Sequence, residues 1–236
     1  VPAQRGDRDT GVEEVLKKVY IFSGLSEGEL AKIRGLVNTR HYKKGTVVFF
    51  EGEPGEAVYF VKSGKVKVYK SDDEGKEYIL HIFGEGEVFA EVVLLGGGPY
   101  PATAEAVEDT TVGFIKNEDL ERLISETPGL AVKIIRVMAS RLRDSQDKIK
   151  DLALKDTYGR TACLLHRISM NYGQRTSRGI EIDLPVTRQE LAALVGTSRE
   201  TVTRILGQMK KEGIIDIDRQ KIIVINEQKL MRCVRE

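Results

Sequence analysis

The stretch from Thr187 to Leu206, T-R-Q-E-L-A-A-L-V-G-T-S-R-E-T-V-T-R-I-L, leaves the chain few options. A period of 3.6 places Leu191, Ala192, Leu194 and Val195 on the inner side of a short helix. After a break at Gly196, the same period places Val202, Ile205, Leu206 and Met209 on the inner side of a second helix. Thr187 and Glu190 have capping-box spacing, and Thr197 or Ser198 is suited to cap the second helix. Ala192 and Ala193 are small enough for the two helices to cross closely. The pattern is a helix-turn-helix, whose second helix enters the DNA major groove with its N-terminal residues against base edges.

The first turns of that second helix carry Arg199, Glu200, Thr203 and Arg204 away from the apolar stripe, beside Ser198 and Thr201. Arginine donates two hydrogen bonds to guanine and glutamate accepts one from cytosine, so an Arg-Glu-Arg set suits a G·C-containing site. The competing reading is local: Glu200 completes a capping box with Thr197 and pairs with Arg204 on a solvated face. Thr187, Arg188 and Gln189, at the start of the first helix, join the DNA-binding candidates.

Charge is distributed to match. Residues 1–154 hold 22 Lys and Arg against 26 Asp and Glu, whereas residues 155–236 hold 15 against 10, so the C-terminal third is the basic part. That suits phosphate binding there and argues against nucleic acid lying along the whole chain. At 236 residues and 41% hydrophobic the chain is long enough for a full core. No apolar run is long enough to span a bilayer, and residues 1–10 are polar with no signal-peptide core, so the expected location is cytoplasmic. Cys163 and Cys233 are read as buried free thiols. A cysteine-ligated iron–sulfur cluster normally needs four thiolates, so two argue against one.

Taken in order, residues 11–22 and the stretch opened by Ser26 and Glu29 read as packing helices. From His41 to Ile115 short Val, Ile, Phe and Tyr runs are punctuated by glycines, the texture of a β-sandwich and specifically a jelly roll. Helical texture returns with Glu118 to Ser125 and with a long helix beginning near Pro128. Along it Ile135, Met138, Leu142, Ser145, Ile149 and Leu152 form a heptad seam flanked by charges that include Arg141 and Lys148. The seam fits a partner copy of the chain or, alternatively, packing on the sandwich of its own chain.

Lys155 and Asp156 mark a hinge, followed by a helix over 157–171, a Gly- and Ser-containing loop and the strand I-E-I-D-L. The helix-turn-helix comes next, and Gly213 ends its second helix. A hairpin, I-I-D-I-D with R-Q-K-I-I-V-I, then forms a wing whose tip carries Arg219 and Lys221. The expected division is α+β: residues 11–118 a jelly-roll sensing domain with N-terminal helices, 119–154 a helical segment with a dimerisation helix, and 155–236 a winged helix-turn-helix.

With these parts in this order, residues 15–226 resemble the cyclic-AMP receptor protein and fumarate-nitrate regulator family of bacterial transcription factors. The resemblance implies a homodimer through the seam helix, double-stranded DNA and RNA polymerase as partners, and an effector held by the sandwich. It matches Arg199, Glu200 and Arg204 to the base-reading trio of the cyclic-AMP receptor branch, which implies a TGTGA-like half-site in inverted repeat. In the nucleotide-binding branch a G-E-x-x-x-E stretch and a following Arg-Ser pair hold ribose and phosphate. Here Gly86, Glu87 and Glu91 fit the first part and Ser145 falls at the seam position that faces the base. Tyr100 and Pro101 stand where Arg and Ser are expected, so no guanidinium serves a cyclic phosphate and conventional cyclic AMP binding is disfavoured.

Haem ligated by His81, mid-strand in Y-I-L-H-I-F, is a minor alternative, and a small apolar or aromatic effector among Phe89, Val92, Tyr100 and Pro101, or no effector at all, remains open. No H-x-H pair or nucleophile–base set supports catalysis or a metal site. The remaining alternative is an effector-binding module that acts on a protein partner without specific DNA readout, which leaves the C-terminal region without a purpose.

Overall fold

The computed structural model describes residues 15–182, 186–218 and 221–235. Two compact units emerge: one made of residues up to Lys70 together with Leu80–Leu142, the other of Ser71–Ile79 together with Arg143–Glu236.

The first unit is built on two four-stranded sheets. Strands β1 (Asn38–Tyr42), β3 (Ala57–Ser63), β6 (Val88–Phe89) and β8 (Thr110–Lys116) form one, in the order β1-β8-β3-β6. Strands β2 (Val47–Phe49), β4 (Val66–Ser71), β5 (Glu77–Phe83) and β7 (Thr103–Ala106) form the other, in the order β2-β7-β4-β5. β3 shows why A-V-Y-F-V is apolar throughout. Ala57, Tyr59 and Val61 enter one core with Phe49, Phe83, Phe89 and Tyr100, while Val58 and Phe60 enter a second with Ile33, Leu120, Leu130 and Ile134. A strand covered on both faces cannot alternate with polar residues. Gly113 on the neighbouring β8 has no room for a side chain, because a Cβ there would stand 2.2 Å from Phe60 Cζ.

Helix α1 (Glu27–Leu36) has the full capping box between Ser26 and Glu29. A short α2 (Val92–Gly96) follows β6, and α3 (Asn117–Glu126) leads into α4 (Pro128–Leu154), 27 residues long. Leu130 and Ile134 of α4 are buried, with Val137 and Met138 packed beside them. Ile135, Leu142, Ile149 and Leu152 are exposed on the single chain. Of the expected N-terminal helix, residues 15–18 are helical and Tyr20–Phe22 form a 3₁₀ turn.

In the second unit α5 (Thr157–Tyr172) is capped by Asp156. The expected loop after it is instead strand β9 (Gly173–Thr176), paired with β10 (Gly179–Ile182). Gln174, Arg175 and Thr176 are exposed, so a short polar edge strand gave no hydrophobic alternation to read. α6 (Arg188–Val195) and α7 (Arg199–Lys211) follow, then β11 (Ile215–Asp218), β12 (Lys221–Val224) and α8 (Glu227–Arg235). The sheet order is β11-β12-β10-β9. One core joins Leu165 and Ile168 to Leu191, Val195, Leu206, Met209, Ile215 and Val224. Arg219 at the wing tip and the end of I-E-I-D-L lie outside the described residues.

Candidate nucleic-acid interface and sensor site

α6 begins with the reciprocal Thr187–Glu190 capping box and ends at Gly196, whose φ of +74° is left-handed. Val195 is buried and Leu194 only half-buried. Ser198 caps α7 by accepting from the Thr201 backbone N–H at 3.2 Å. The cap is therefore Ser198, and the Thr197–Glu200 box is not formed. Val202, Ile205, Leu206 and Met209 are buried, so Arg199, Glu200, Thr203 and Arg204 are all turned to solvent.

Among the described residues none of those four takes part in an ion pair, so the Glu200–Arg204 pair of the competing local reading is not made. Thr203 donates its hydroxyl to Arg199 O at 2.7 Å. The Glu200 carboxyl is held below its ordinary value by its own backbone N–H and the Ser198 hydroxyl, with Arg199 adding to the effect. It is therefore an ionised acceptor at neutral pH. Thr187 and Gln189 are exposed and Arg188 is half-buried.

Several charges elsewhere in this unit are paired. Arg178 pairs with Asp216 at 2.9 Å and Asp218 at 2.7 Å, and Lys210 pairs with Asp216 at 2.8 Å. Lys221 of the wing pairs with Glu181. At the start of α7, by contrast, Arg199, Glu200 and Arg204 make no ion pair among the described residues.

In the first unit the sensor candidates separate into groups. Tyr100 is a core residue. Its ring stacks on Phe49 with centroids 3.9 Å apart, and its hydroxyl both accepts from Ala57 N at 3.2 Å and donates to Ala57 O. Pro101 is exposed. This stretch offers a cyclic phosphate neither a guanidinium nor a free hydroxyl. Phe89 is also core, stacked with Phe49, Tyr59 and Phe83. Gly86 donates its N–H to Val61 O at 2.9 Å.

Glu87 accepts from Gly84 N at 2.7 Å and lies 3.6 Å from His81 Nε2. Burial raises its pKa, but His81, the Gly84 N–H and Arg141 together bring it below the ordinary value. His81, the haem-ligand candidate, is engaged with Glu87 and rests on Phe83 at 4.5 Å.

Arg141 is the residue that sequence reasoning missed, and it pairs with Glu91, one of the effector-pocket candidates. Arg141, assigned to a charged flank of α4, pairs with Glu91, donates to Val88 O and lies over the Phe83 ring at 4.8 Å. The signal was available, because Arg141 extends the inward row of buried Leu130 and Ile134 and half-buried Val137 at helical spacing. Glu91 is 7% exposed, its Oε2 has no partner among the described residues, and it lines a cavity of about 10 Å³, room for one water. The preceding residue, Ala90, holds a left-handed φ of +62°, a strain of about 1 kcal/mol for a residue with a Cβ. Ser145 is exposed on α4. Among the described residues no cluster of three His, Cys, Asp or Glu is arranged to hold a metal, and no helix is long and apolar enough to cross a membrane.

A double-sheet module, a long helix and a winged helix-turn-helix with an exposed polar face at the start of α7 define an effector-linked DNA-binding protein. Comparison with known proteins makes this specific. Residues 39–127 match the cyclic nucleotide-binding domain and residues 159–233 the Crp-like helix-turn-helix domain. The chain is 34% identical over 200 residues to the cyclic AMP receptor protein of Thermus thermophilus, covering 85% of this chain and 89% of that protein. It is 29% identical to a CRP-like cAMP-activated global transcriptional regulator of Mycobacterium tuberculosis, over 95% of this chain and all of the relative. A variant of CooA from Carboxydothermus hydrogenoformans superposes with a TM-score of 0.77 at 27% identity, covering 95% of this chain and 96% of that one. The chain belongs to the CRP/FNR family of transcriptional regulators.

Proposed function

We propose that the chain works as a homodimer that binds a TGTGA-like inverted repeat through Arg199, Glu200 and Arg204, under control of an effector held by the N-terminal domain. The observation that carries the DNA reading is the exposed, unpaired start of α7. A guanidinium with no protein partner keeps both its donor directions for guanine O6 and N7, and an ionised Glu200 accepts from cytosine. Ser198, Thr201 and Thr203, with Thr187, Arg188 and Gln189, are assigned to the surrounding contacts, where hydroxyls, amides and helix N-termini meet phosphates.

Dimerisation is supported by the exposed stripe on α4. Ile135, Leu142 and Ile149 are 58%, 61% and 65% exposed on the single chain, more apolar surface than a lone helix face keeps in water. Two copies joined there would present two reading heads roughly 34 Å apart, one turn of B-DNA. On the effector side, Glu87, Glu91 and Arg141 are the polar groups available, and the segment at Tyr100 and Pro101 argues for something other than cyclic AMP in its usual pose.

A salt titration with palindromic and scrambled duplexes tests the reading. Affinity for the palindrome should fall steeply with salt and exceed that for scrambled DNA by about a thousandfold or more. Equal, feeble affinity for both would leave the effector-binding module without DNA readout as the better account. Replacing Met138 and Leu142 together by Asp should give monomers that lose operator affinity by about a hundredfold or more. An intact dimer by sedimentation would move the seam elsewhere.

A further inference from the structure

Side chains from three separate segments converge on the turn between α6 and α7. Arg160, in the first turn of α5, donates through Nε to Val195 O at 3.2 Å and through a terminal nitrogen to Lys155 O at 3.1 Å, and it reaches Thr157 Oγ1 at 3.5 Å. Val195 ends α6 and Lys155 follows α4 directly, so one guanidinium ties the exits of two helices, where carbonyls lack intrahelical donors.

The turn is approached by two further side chains. A Cβ on Gly196 would stand 3.4 Å from Tyr78 Cε2 and 3.7 Å from Leu152 Cδ2. Tyr78 lies on β5 in the segment Ser71–Ile79 that is compact with the C-terminal unit. It is half-buried, and burial raises its phenol pKa against the opposing influence of Arg167 and Arg160. Three residues further along β5 comes His81, the partner of Glu87.

We propose that Tyr78 and Arg160 are positioning residues for DNA reading: they grip the Val195–Gly196 turn and thereby set the angle at which α7 presents Arg199, Glu200 and Arg204. The consequence for DNA rests on the base-reading assignment above, whereas the grip itself does not. Neither residue is among the proposed DNA contacts.

The test uses the full-length protein and the variants Tyr78→Ala, Tyr78→Phe, Arg160→Met and Arg160→Lys. The reporters are the amides of Gly196 and Thr197, both of which donate to Ala192 O and close α6. In Tyr78→Ala and Arg160→Met these amides should exchange with deuterium about tenfold faster, the effect of losing one hydrogen bond or contact. The same variants should lose about tenfold in preference for the TGTGA palindrome over scrambled duplex, with unchanged affinity for the scrambled DNA. Tyr78→Phe should behave as wild type and Arg160→Lys, which keeps the charge without the fork, should fall between.

Unchanged exchange in both Tyr78→Ala and Arg160→Met overturns the grip. Faster exchange with intact palindrome preference overturns the positioning role. If the wild type shows no palindrome preference, the base-reading assignment has failed and the exchange arm still decides the grip. Should Arg160→Met not fold, Arg160→Lys carries the test, and wild-type exchange there counts against it.

Discussion

The start of α7, proposed to read DNA, and the Glu87–Glu91–Arg141 group, proposed to serve the effector, are made from the same chemistry and use it in opposite ways. At the start of α7, Arg199, Glu200 and Arg204 are exposed and make no ion pair among the described residues. Beside β6, Arg141 and Glu91 are turned inward on each other, and Glu87 is satisfied by His81 and a backbone N–H. An exposed pair adds about 0 to 1 kcal/mol, so leaving the α7 charges unpaired sacrifices little stability and keeps their donors and acceptors for a partner. A buried pair works differently, because removing either member strands the other charge. The first arrangement suits a surface that must meet DNA, the second a latch whose state depends on both members.

The largest effect should come from breaking the latch. Arg141→Met leaves Glu91 in an apolar site and should destabilise the N-terminal unit by about 3 kcal/mol, the low end for a buried pair because Arg141 is 31% exposed. Thermal unfolding checks this, and an unchanged Tm would mean that the pair is not a latch. On the other side of the comparison, Arg199→Ala or Arg204→Ala should leave Tm alone and weaken operator binding by about 1 to 3 kcal/mol, relaxing preference at one G·C pair. If base swaps at every operator position affected variant and wild type equally, the assigned contacts would be wrong.

The smallest effect sharpens the rule that burial decides the role of a charge. Lys148 on α4 has its pKa pushed down to about 8 by burial, with Arg167 adding and Asp144 opposing. Between about pH 8 and its ordinary value of 10.5 the unfolded chain holds a proton that the folded one gives up. Its destabilising influence is thus full below about pH 8 and fades as pH rises towards 10.5. Lys148→Met should therefore stabilise by about 1 kcal/mol at pH 7, with the gain shrinking in alkaline solution. Denaturant midpoints at several pH values would show the trend, and a pH-independent gain would contradict it.

Legibility in the sequence followed how local the determinants are. The caps at Ser26 and Thr187, the αL turn at Gly196 and the buried row of α7 depend on residues a few positions apart, and spacing revealed them. The double-sided apolar run of β3 announced a buried strand without saying which residues entered which core. Strand β9 was hidden because an exposed polar edge has no pattern. The partners of Arg141 and Tyr100 lie 50 and 43 residues away, at Glu91 and Ala57; period can place Arg141 on the inward face of α4 but cannot name its partner. Tyr100 in particular read as a pocket wall until its hydroxyl was seen to be used by the backbone.

The stripe of Ile135, Leu142, Ile149 and Leu152 has a further consequence for how such a regulator responds in a cell. If only a second copy covers it, the active species forms by mass action. While most chains are single, the supply of pairs grows with the square of chain concentration. Doubling expression then quadruples the reading species, so a promoter under its control would be set by abundance as well as by any effector.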